Sequence, residues 1–219
     1  MRIGSIGAGF LARAFARRAT AAGHEVMLSN SRGPKTLASV PSGTGAAIGT
    51  VEEAAQFGEI VFLALPFSER ASLARLPFGR AILSDATNYY PERDGAIQEL
   101  DERRNTTTGM IARLLPGARL VKAFNAILAS DLEPNAAPLL SGHRRVLPIA
   151  GEDMAAKRAV AELHGSMGFE ALDTGGLGES WRFERAKPAY CVPLDRDELI
   201  AGLASAQWEE ELPQGSWRR

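Results

Sequence analysis

The sequence predicts an α/β fold, a doubly wound parallel sheet followed by a small C-terminal α+β part. Strands alternate with short helices over the first 125 residues, the pattern of a parallel sheet with crossover helices. Residues 59–67 form one continuous apolar run, as in a central parallel strand that is covered on both faces. A glycine cluster directly follows the first predicted strand.

The N-terminal elements alternate without interruption. Residues 1–6 are predicted to form a short buried strand, and the apolar residues of 10–22 recur at helical spacing. Gly23 suits the left-handed position after a helix end, so the next strand is expected at 24–29. The following predictions are a short helix at 33–39, a strand at 45–50 and a helix at 50–57.

The middle of the chain continues this pattern. Thr50 and Glu53 have the spacing of a capping box, which marks the start of the helix at 50–57. The apolar run at 59–67 is the predicted fourth strand. The remaining predictions are a helix at 68–76, a strand at 80–88, an irregular polar segment at 89–105, a helix at 106–117 and a sixth strand at 118–127.

The alternation loosens after residue 125, which predicts two parts. Residues 1–125 are predicted to form a nucleotide-binding domain of the Rossmann type, and residues 126–219 a smaller domain that supplies an acceptor site, dimer contacts or both. The elements predicted in the second part are a strand at 145–151, a helix at 152–167, a strand at 169–175 and a helix at 195–209.

Composition excludes several classes of protein. A net charge of -1 favours neither nucleic acid nor a membrane surface as partner. No apolar run reaches the roughly 18–20 residues that span a bilayer. The single cysteine, Cys191, excludes an internal disulfide framework and a cysteine-based zinc site, and a reducing cytoplasmic setting is expected. The arginine-rich N-terminus has no cleavage signal, which disfavours a targeting peptide.

The glycine cluster matches a dinucleotide-binding motif. Gly7, Gly9 and Ala12 fit the pattern G-x-G-x-x-A between a predicted strand and a predicted helix, which is the context this motif requires. Gly7 permits the tight turn, Gly9 lets a pyrophosphate approach the backbone, and Ala12 lets helix and strand pack closely. The alternative is a glycine-rich turn without a ligand. The candidate cofactor contacts in this turn are Gly7, Ala8, Gly9, Phe10 and Leu11.

The second predicted strand, within residues 24–35, ends without an acidic residue. NAD-binding proteins often place a carboxylate there for the ribose hydroxyls, whereas this chain carries Asn30, which does not repel a 2′-phosphate. Ser31 offers a hydroxyl, Arg32 a forked pair of charge-assisted bonds, and Lys35 a point charge. The stretch therefore predicts NADP(H) rather than NAD(H); the alternative is that both cations are ordinary surface residues.

With these motifs, the sequence resembles the F420-dependent NADP oxidoreductase family, including the bacterial predicted dinucleotide-binding proteins grouped with it. The resemblance covers most of the chain. It rests on the segments IGSIGAGFLA, GHEVMLSNSRGPKTL, VFLALPF, LSDATNYYPERDG, LVKAFNAI, LPIAGED and LDTGGL.

The resemblance implies a Rossmann domain that binds NADP at the glycine turn, and a homodimer. It also implies hydride exchange with the deazaflavin F420, although residues 179–194 depart from the family pattern and leave the acceptor open. The implied contacts are Ser31, Arg32 and Lys35 for the 2′-phosphate, Leu65 and Pro66 along the dinucleotide, and Ile127 and Ala129 beside the nicotinamide.

Candidate chemistry lies after the fifth and sixth predicted strands, where ligands collect in open α/β sheets. Asn88 is a candidate cofactor contact and Tyr89 a candidate proton donor. Asn125 is a candidate to orient a carboxamide or an acceptor carbonyl, with a loop-capping role as the alternative. The candidates for the wall of an acceptor pocket, or alternatively for core or dimer contacts, are Trp181, Phe183, Tyr190 and Cys191.

Two functional hypotheses follow. The first is an NADPH-dependent reductase that passes a hydride to a flavin, to a deazaflavin such as F420, or to a small carbonyl or imine. Reduction of a flavin-like ring requires mainly the alignment of two planar rings, which fits a sequence without an evident acid/base pair. The second is a non-catalytic NADP(H)-binding module that senses redox state. A β-hydroxyacid or imine reductase is disfavoured, because Lys122 lies within a strand rather than on a helix.

Overall fold

The computed structural model describes residues 1–135, 139, 142–213 and 215. Within these residues the strands form one eight-stranded sheet in the order β3-β2-β1-β4-β5-β6-β7-β8. The strands are β1 (Arg2–Ile6), β2 (Glu25–Ser29), β3 (Ala47–Ile48), β4 (Ile60–Leu63), β5 (Ile82–Asp85), β6 (Arg119–Lys122), β7 (Val146–Gly151) and β8 (Glu170–Asp173).

The first six strands are parallel, which confirms the predicted doubly wound sheet. The chain winds outward from β1 to β3 and then crosses to β4, so the winding direction reverses between β1 and β4. The carboxyl ends of strands on either side of such a reversal enclose a crevice in which ligands bind. β7 runs antiparallel to β6, and β8 is parallel to β7.

The helices lie in the connections between these strands. In the described part of the chain the α-helices are α1 (Phe10–Ala21), α2 (Val40–Thr44), α3 (Val51–Phe57), α4 (Pro91–Asp94), α5 (Gln98–Asp101), α6 (Thr107–Leu114), α7 (Ala129–Leu132), α8 (Met154–Ser166) and α9 (Arg196–Ser205). Three further segments among the described residues are 3₁₀ helices: Pro34–Leu37, Phe67–Arg75 and Leu177–Phe183.

The core has a layer on each face of the sheet. On one face Phe15 of α1 stacks on Phe62 of β4 with ring centroids 4.0 Å apart, and Phe124 meets both rings edge-on. On the other face Leu63 and Ile111 belong to a second apolar cluster. All four residues of β4 are buried, so the prediction of a central strand covered on both sides is confirmed.

Two short-range signals act as the sequence predicts. Gly23 has φ +85°, and the N–H groups of Gly23 and His24 bond to carbonyls in the last turn of α1, which ends that helix. At α3 the Thr50 hydroxyl accepts from the N–H of Glu53, whose carboxylate accepts from the N–H of Thr50 in return. Both signals depend on neighbouring residues alone, which is why they can be read from sequence.

Several predicted elements differ from the observed ones in length or type. The strand expected at 59–67 ends at Leu63, ahead of Pro66, which has no N–H to donate to a sheet. The strand expected at 118–127 ends at Lys122, because Phe124 adopts φ +58°. The strand expected at 45–50 is reduced to β3, and the helix expected at 68–76 is the 3₁₀ helix Phe67–Arg75.

Residues 89–105, which were expected to be irregular, contain the two short helices α4 and α5. The sequence also did not predict α7, which follows β6. In the C-terminal part, β7 and β8 extend the sheet of the first six strands, and α8 packs against both. The division between residues 125 and 126 thus falls in the loop after β6, within one continuous sheet, and stays a prediction.

Candidate functional site

A cleft of about 680 Å³ lies at the carboxyl ends of β1, β4, β5 and β6. The start of α1 forms one side, and the loops after β4, β5 and β6 form the rest. The residues predicted from sequence that line it are Gly9, Phe10, Leu11, Leu65, Pro66, Asn88, Asn125, Ile127 and Ala129. The structure therefore brings most of the predicted contacts to one surface.

Gly7 packs the first turn against the end of β4. Its φ is +119°, and a Cβ at this position would lie 2.1 Å from the carbonyl oxygen of Ala64. Its own N–H bonds to the carbonyl of Ser29 at 3.1 Å, next to the end of β2. Only glycine satisfies both the backbone angle and this close approach.

The start of α1 is open toward the cleft. A Cβ on Gly9, the residue before the helix, would meet nothing within 4 Å, while Ala12 behind it is fully buried. No side chain caps this helix end, and its first turn holds no acidic residue. The first-turn N–H groups, at the positive end of the helix dipole, are thus available to an anion.

Residues 30–35, here called the tip loop, follow β2 beside the glycine turn. Asn30 shapes this loop: its Oδ1 accepts from the N–H of Arg32 at 3.1 Å, and its Nδ2 donates to Thr36 Oγ1 at 2.9 Å. Its amide is thus engaged within the loop. Ser31, Arg32 and Lys35 are exposed.

Neither Arg32 nor Lys35 forms an ion pair within the described residues. Because β1 and β2 are in register from Arg2–Glu25 to Ile6–Ser29, the tip loop and the glycine turn emerge side by side. Arg32 and Lys35, which have no ion-pair partner among the described residues, thus lie next to the uncapped start of α1. This arrangement suits a ligand with more than one phosphate.

Asn88 and Asn125 hold the inner wall of the cleft together. Asn125 Nδ2 donates to Asn88 Oδ1 at 3.3 Å and to the carbonyl of Phe183 at 2.9 Å, and Asn88 Nδ2 donates to the Asn125 carbonyl at 3.0 Å. Because Asn125 Nδ2 serves two acceptors, the amide can offer a ligand only its Oδ1. That oxygen is buried and has no partner among the described residues. Asn125 is thus suited to accept from a carboxamide N–H, and not to donate to an acceptor carbonyl.

The structure places Tyr89 outside the cleft, against its predicted role as proton donor. Its hydroxyl donates to Asp101 at 2.7 Å and accepts from the N–H of Ile97 at 3.1 Å. Burial and the bond to Asp101 raise the pKa of Tyr89. The ring faces a separate cavity of about 310 Å³ that Trp181 and Trp208 also line. Tyr89 therefore anchors the loop that carries α4 and α5.

The next residue, Tyr90, lines the cleft, although the sequence pointed to its neighbour. Tyr190 and Cys191 also line the cleft, although both are almost fully buried in the same apolar cluster as Phe183, so their role in an acceptor pocket stays a prediction. Burial raises the pKa of Cys191 to about 12, so this thiol stays protonated. The signal that would have identified Tyr90 is the alternation of side-chain directions along extended chain.

A buried polar network lies beneath the cleft, at the ends of β5 and β6. Asp85 and Lys122 are both fully buried, with Lys122 Nζ 3.2 Å from Asp85 Oδ2. Lys122 also donates to Thr107 Oγ1 at 2.8 Å, while Asp85 Oδ1 accepts from the N–H of Thr87 at 2.9 Å. The Thr108 hydroxyl donates to Asp85 Oδ2. This polar network, Asp85, Thr87, Thr107, Thr108 and Lys122, fixes the loop that carries Asn88 and Tyr90.

The described residues hold neither a cluster of metal ligands nor a helix that could span a membrane. No group of histidine, cysteine, aspartate and glutamate side chains in this part of the chain could hold a metal ion. None of its helices is both long and apolar enough to span a bilayer.

The arrangement fits a dinucleotide with an additional phosphate. The open backbone at Gly9 and the uncapped α1 start match a pyrophosphate, and the unpaired cations of the tip loop match a 2′-phosphate. The orphaned Oδ1 of Asn125 matches the N–H of a carboxamide. The start of α1 and Asn125 line the cleft, and the tip loop follows β2, the strand beside the one that leads into the glycine turn.

Comparison with known proteins agrees with this geometry. A family model described as NADP oxidoreductase, coenzyme F420-dependent, matches residues 2–88, which include the glycine turn and the tip loop. The chain is 33% identical to the hypothetical protein SMa0349 from Sinorhizobium meliloti, whose solved structure matches with a TM-score of 0.76. That match covers 90% of this chain and 96% of the other.

Two further proteins extend the comparison. A candidate F420-dependent NADP-reductase from Arthrobacter sp. FB24 is 25% identical, with a TM-score of 0.67 over 80% of this chain and 85% of that one. The metalloreductase STEAP3 of Rattus norvegicus is 35% identical over 200 residues, which are 88% of this chain. The chain spans only 38% of the length of that curated relative. The glycine turn, the tip loop and these similarities together show that the chain belongs to the F420-dependent NADP oxidoreductase family, whose members are NADP-dependent oxidoreductases.

Proposed function

We propose that this chain is an NADPH-dependent reductase that transfers a hydride from NADPH to a small-molecule acceptor. The observation that carries the proposal is the uncapped start of α1, which lines the cleft, beside the tip loop with its two unpaired cations, Arg32 and Lys35. NAD(H) would leave these cations without an anion to bind, whereas the 2′-phosphate of NADPH supplies one. The preference for NADPH over NADH rests on them.

The cofactor-binding residues have distinct roles in this proposal. Backbone N–H groups at the start of α1 bind the pyrophosphate, and Ser31, Arg32 and Lys35 bind the 2′-phosphate. Asn125 accepts a hydrogen bond from the carboxamide, which orients the nicotinamide ring. Bound NADPH supplies the hydride. The apolar residues along the dinucleotide are Leu65, Pro66, Ile127 and Ala129.

The acceptor class is a flavin-like ring, the deazaflavin F420, or a small carbonyl or imine. The Arthrobacter relative is described as F420-dependent and the rat relative as a metalloreductase, which supports an oxidoreductase with a redox-active acceptor. The wall formed by Tyr90, Tyr190 and Cys191 offers the surface for that acceptor. It lies in the same cleft as Asn125, which would place the acceptor near the nicotinamide.

Two measurements test this function. NADPH and NADH affinities are measured by nicotinamide fluorescence, and turnover by loss of NADPH absorbance with FMN, F420, benzaldehyde and acetophenone as acceptors. We expect tighter binding of NADPH than of NADH and oxidation of NADPH with at least one acceptor. Tight NADPH binding without turnover on any acceptor would instead identify a redox-sensing module. Equal affinities for the two cofactors would contradict the assignment of the tip loop.

A further inference from the structure

Tyr90 occupies a position in the cleft that the cofactor does not require. It lines the cleft together with Asn125, Tyr190 and Cys191. None of the phosphate-binding features involves these residues. The polar side chain of Tyr90 is therefore placed to contact the hydride acceptor bound beside the nicotinamide.

The hydroxyl of Tyr90 is hydrogen-bonded to the hydroxyl of Tyr190, although the two residues are 100 positions apart. Tyr190 is buried, and burial raises its pKa, with contributions from Cys191 and Tyr90. Either hydroxyl of this pair can be the donor. When Tyr190 donates to Tyr90, the proton of Tyr90 is available to an acceptor bound in the cleft that Tyr90 lines.

Two guanidinium groups flank the Tyr90 ring. The guanidinium carbon of Arg93 lies 4.7 Å from the ring centroid, and that of Arg185 lies 5.2 Å from it. Arg93 is held by Asp94 and by the carbonyl of Asn88, while Arg185 is paired with Glu92 at 3.3 Å. Positive charge held near the ring stabilises the negative charge that develops on a phenol oxygen during proton transfer.

We propose that Tyr90, hydrogen-bonded to Tyr190, is the proton donor to the carbonyl oxygen of an aldehyde or ketone acceptor. The inference rests on the proposed function and narrows its acceptor class. The carbonyl carbon takes the hydride, the π electron pair moves onto oxygen, and that oxygen takes the phenolic proton of Tyr90. The acceptor becomes an alcohol, NADPH becomes NADP⁺, and solvent returns a proton to Tyr90.

The need for a proton distinguishes the acceptor classes. Hydride transfer to a carbonyl creates an alkoxide, so a positioned donor accelerates it, by about 10²–10⁴-fold in typical cases. A flavin-like ring spreads the charge over several heteroatoms and needs mainly alignment. A hydroxyl pair with flanking cations therefore favours a carbonyl over a flavin.

The first test follows the NMR resonances of the tyrosine side chains and requires no enzyme turnover. The chain contains only three tyrosines, at 89, 90 and 190, so labelling with ζ-¹³C tyrosine gives three resonances that the three phenylalanine variants assign. In the presence of NADP⁺, acetophenone or benzaldehyde is expected to shift the Tyr90 and Tyr190 resonances and to leave that of Tyr89 in place. Absence of any shift at Tyr90 with both carbonyls would overturn the proposal.

The second test compares Tyr90→Phe with Tyr89→Phe, a matched change one residue away whose hydroxyl lies outside the cleft. Tyr90→Phe keeps the ring between the guanidiniums, and we expect kcat with a carbonyl to fall by about 10²–10⁴-fold with NADPH affinity within twofold of the parent. Tyr89→Phe, which removes a hydroxyl that anchors the neighbouring loop, and Tyr190→Phe are both expected to lose less kcat than Tyr90→Phe.

The outcomes separate this inference from the proposed function. If NADPH binds and FMN is reduced equally by the parent and Tyr90→Phe, while neither carbonyl is reduced, the reductase assignment stands and the tyrosine proposal fails. Retention of full carbonyl turnover in Tyr90→Phe would also overturn it. Failure of NADPH to bind the parent protein would refute the proposed function itself.

Discussion

The two ends of the candidate site differ in how their polar groups are satisfied. At the tip loop and the start of α1, Arg32 and Lys35 are exposed and unpaired, and the helix N–H groups have no side-chain cap. Beneath the opposite wall, Asp85 and Lys122 are fully buried, and each is bonded to more than one partner.

This difference separates the groups that are available for ligand binding from the groups that stabilise the fold. Groups without internal partners are free to interact with a ligand, and their loss costs the fold little. Groups in the polar network carry no exposed surface, and removal of one member leaves another buried without its partner. We therefore expect substitutions at the two ends to affect different measurements.

The largest expected effect comes from the polar network. Lys122→Met keeps most of the side-chain volume but leaves the Asp85 carboxylate buried without its cation, which should lower the free energy of unfolding by about 3–5 kcal/mol. Urea denaturation measures the change. The double variant Asp85→Asn/Lys122→Met removes both charges and should recover much of that loss. If the single variant loses less than about 1 kcal/mol, the network does not carry the stability assigned to it.

A second buried group, His164, is expected to make the free energy of unfolding depend on pH. His164 is fully buried, stacks on Phe124 at 3.9 Å, and bonds through Nδ1 to the carbonyl of Val160 at 2.7 Å. Burial lowers its pKa from 6.5 to about 4. Between these values the unfolded chain binds the proton that the folded chain excludes, so stability is present above pH 6.5 and is lost as pH falls through this window, by roughly 3 kcal/mol in total.

Urea denaturation at several pH values measures this slope. His164→Gln removes this titrating group and should reduce the slope of stability against pH between about pH 4 and 6.5, the range set by the two pKa values of His164. An equal slope in the parent and in His164→Gln would show that other groups cause the acid sensitivity.

Substitution of a tip-loop cation is expected to change the stability of the fold least, while it clearly weakens cofactor binding. Arg32→Ala should weaken NADPH binding by about 1.5–3 kcal/mol, the range for a charge-assisted bond, and should leave NADH binding and thermal stability almost unchanged. Arg80→Ala is the matched control, because that exposed arginine precedes the amino end of β5, whereas the tip loop follows the carboxyl end of β2. A parallel loss of NADPH and NADH affinity would contradict the phosphate role of Arg32.

The sequence predicted the cofactor end of the cleft better than the acceptor end. Gly7, Gly9 and Arg32 belong to contiguous segments, and the parallel register of β1 and β2 sets those segments side by side. At the other end the sequence selected Tyr89, and the structure turns that residue toward Asp101 while Tyr90 faces the cleft. Successive side chains in extended chain point to opposite sides, so an error of one residue reverses the assignment.

The sequence by itself determined the α/β class, the glycine turn, the end of α1 at Gly23 and the cations of the tip loop. These features depend on backbone angles and hydrogen bonds among residues close in the chain. Only the tertiary structure decided the pairing of Tyr90 with Tyr190, the burial of Asp85 with Lys122 and the orphaned oxygen of Asn125. Each of these requires segments far apart in sequence to pack together, and the direction of a side chain there depends on what distant residues bury around it.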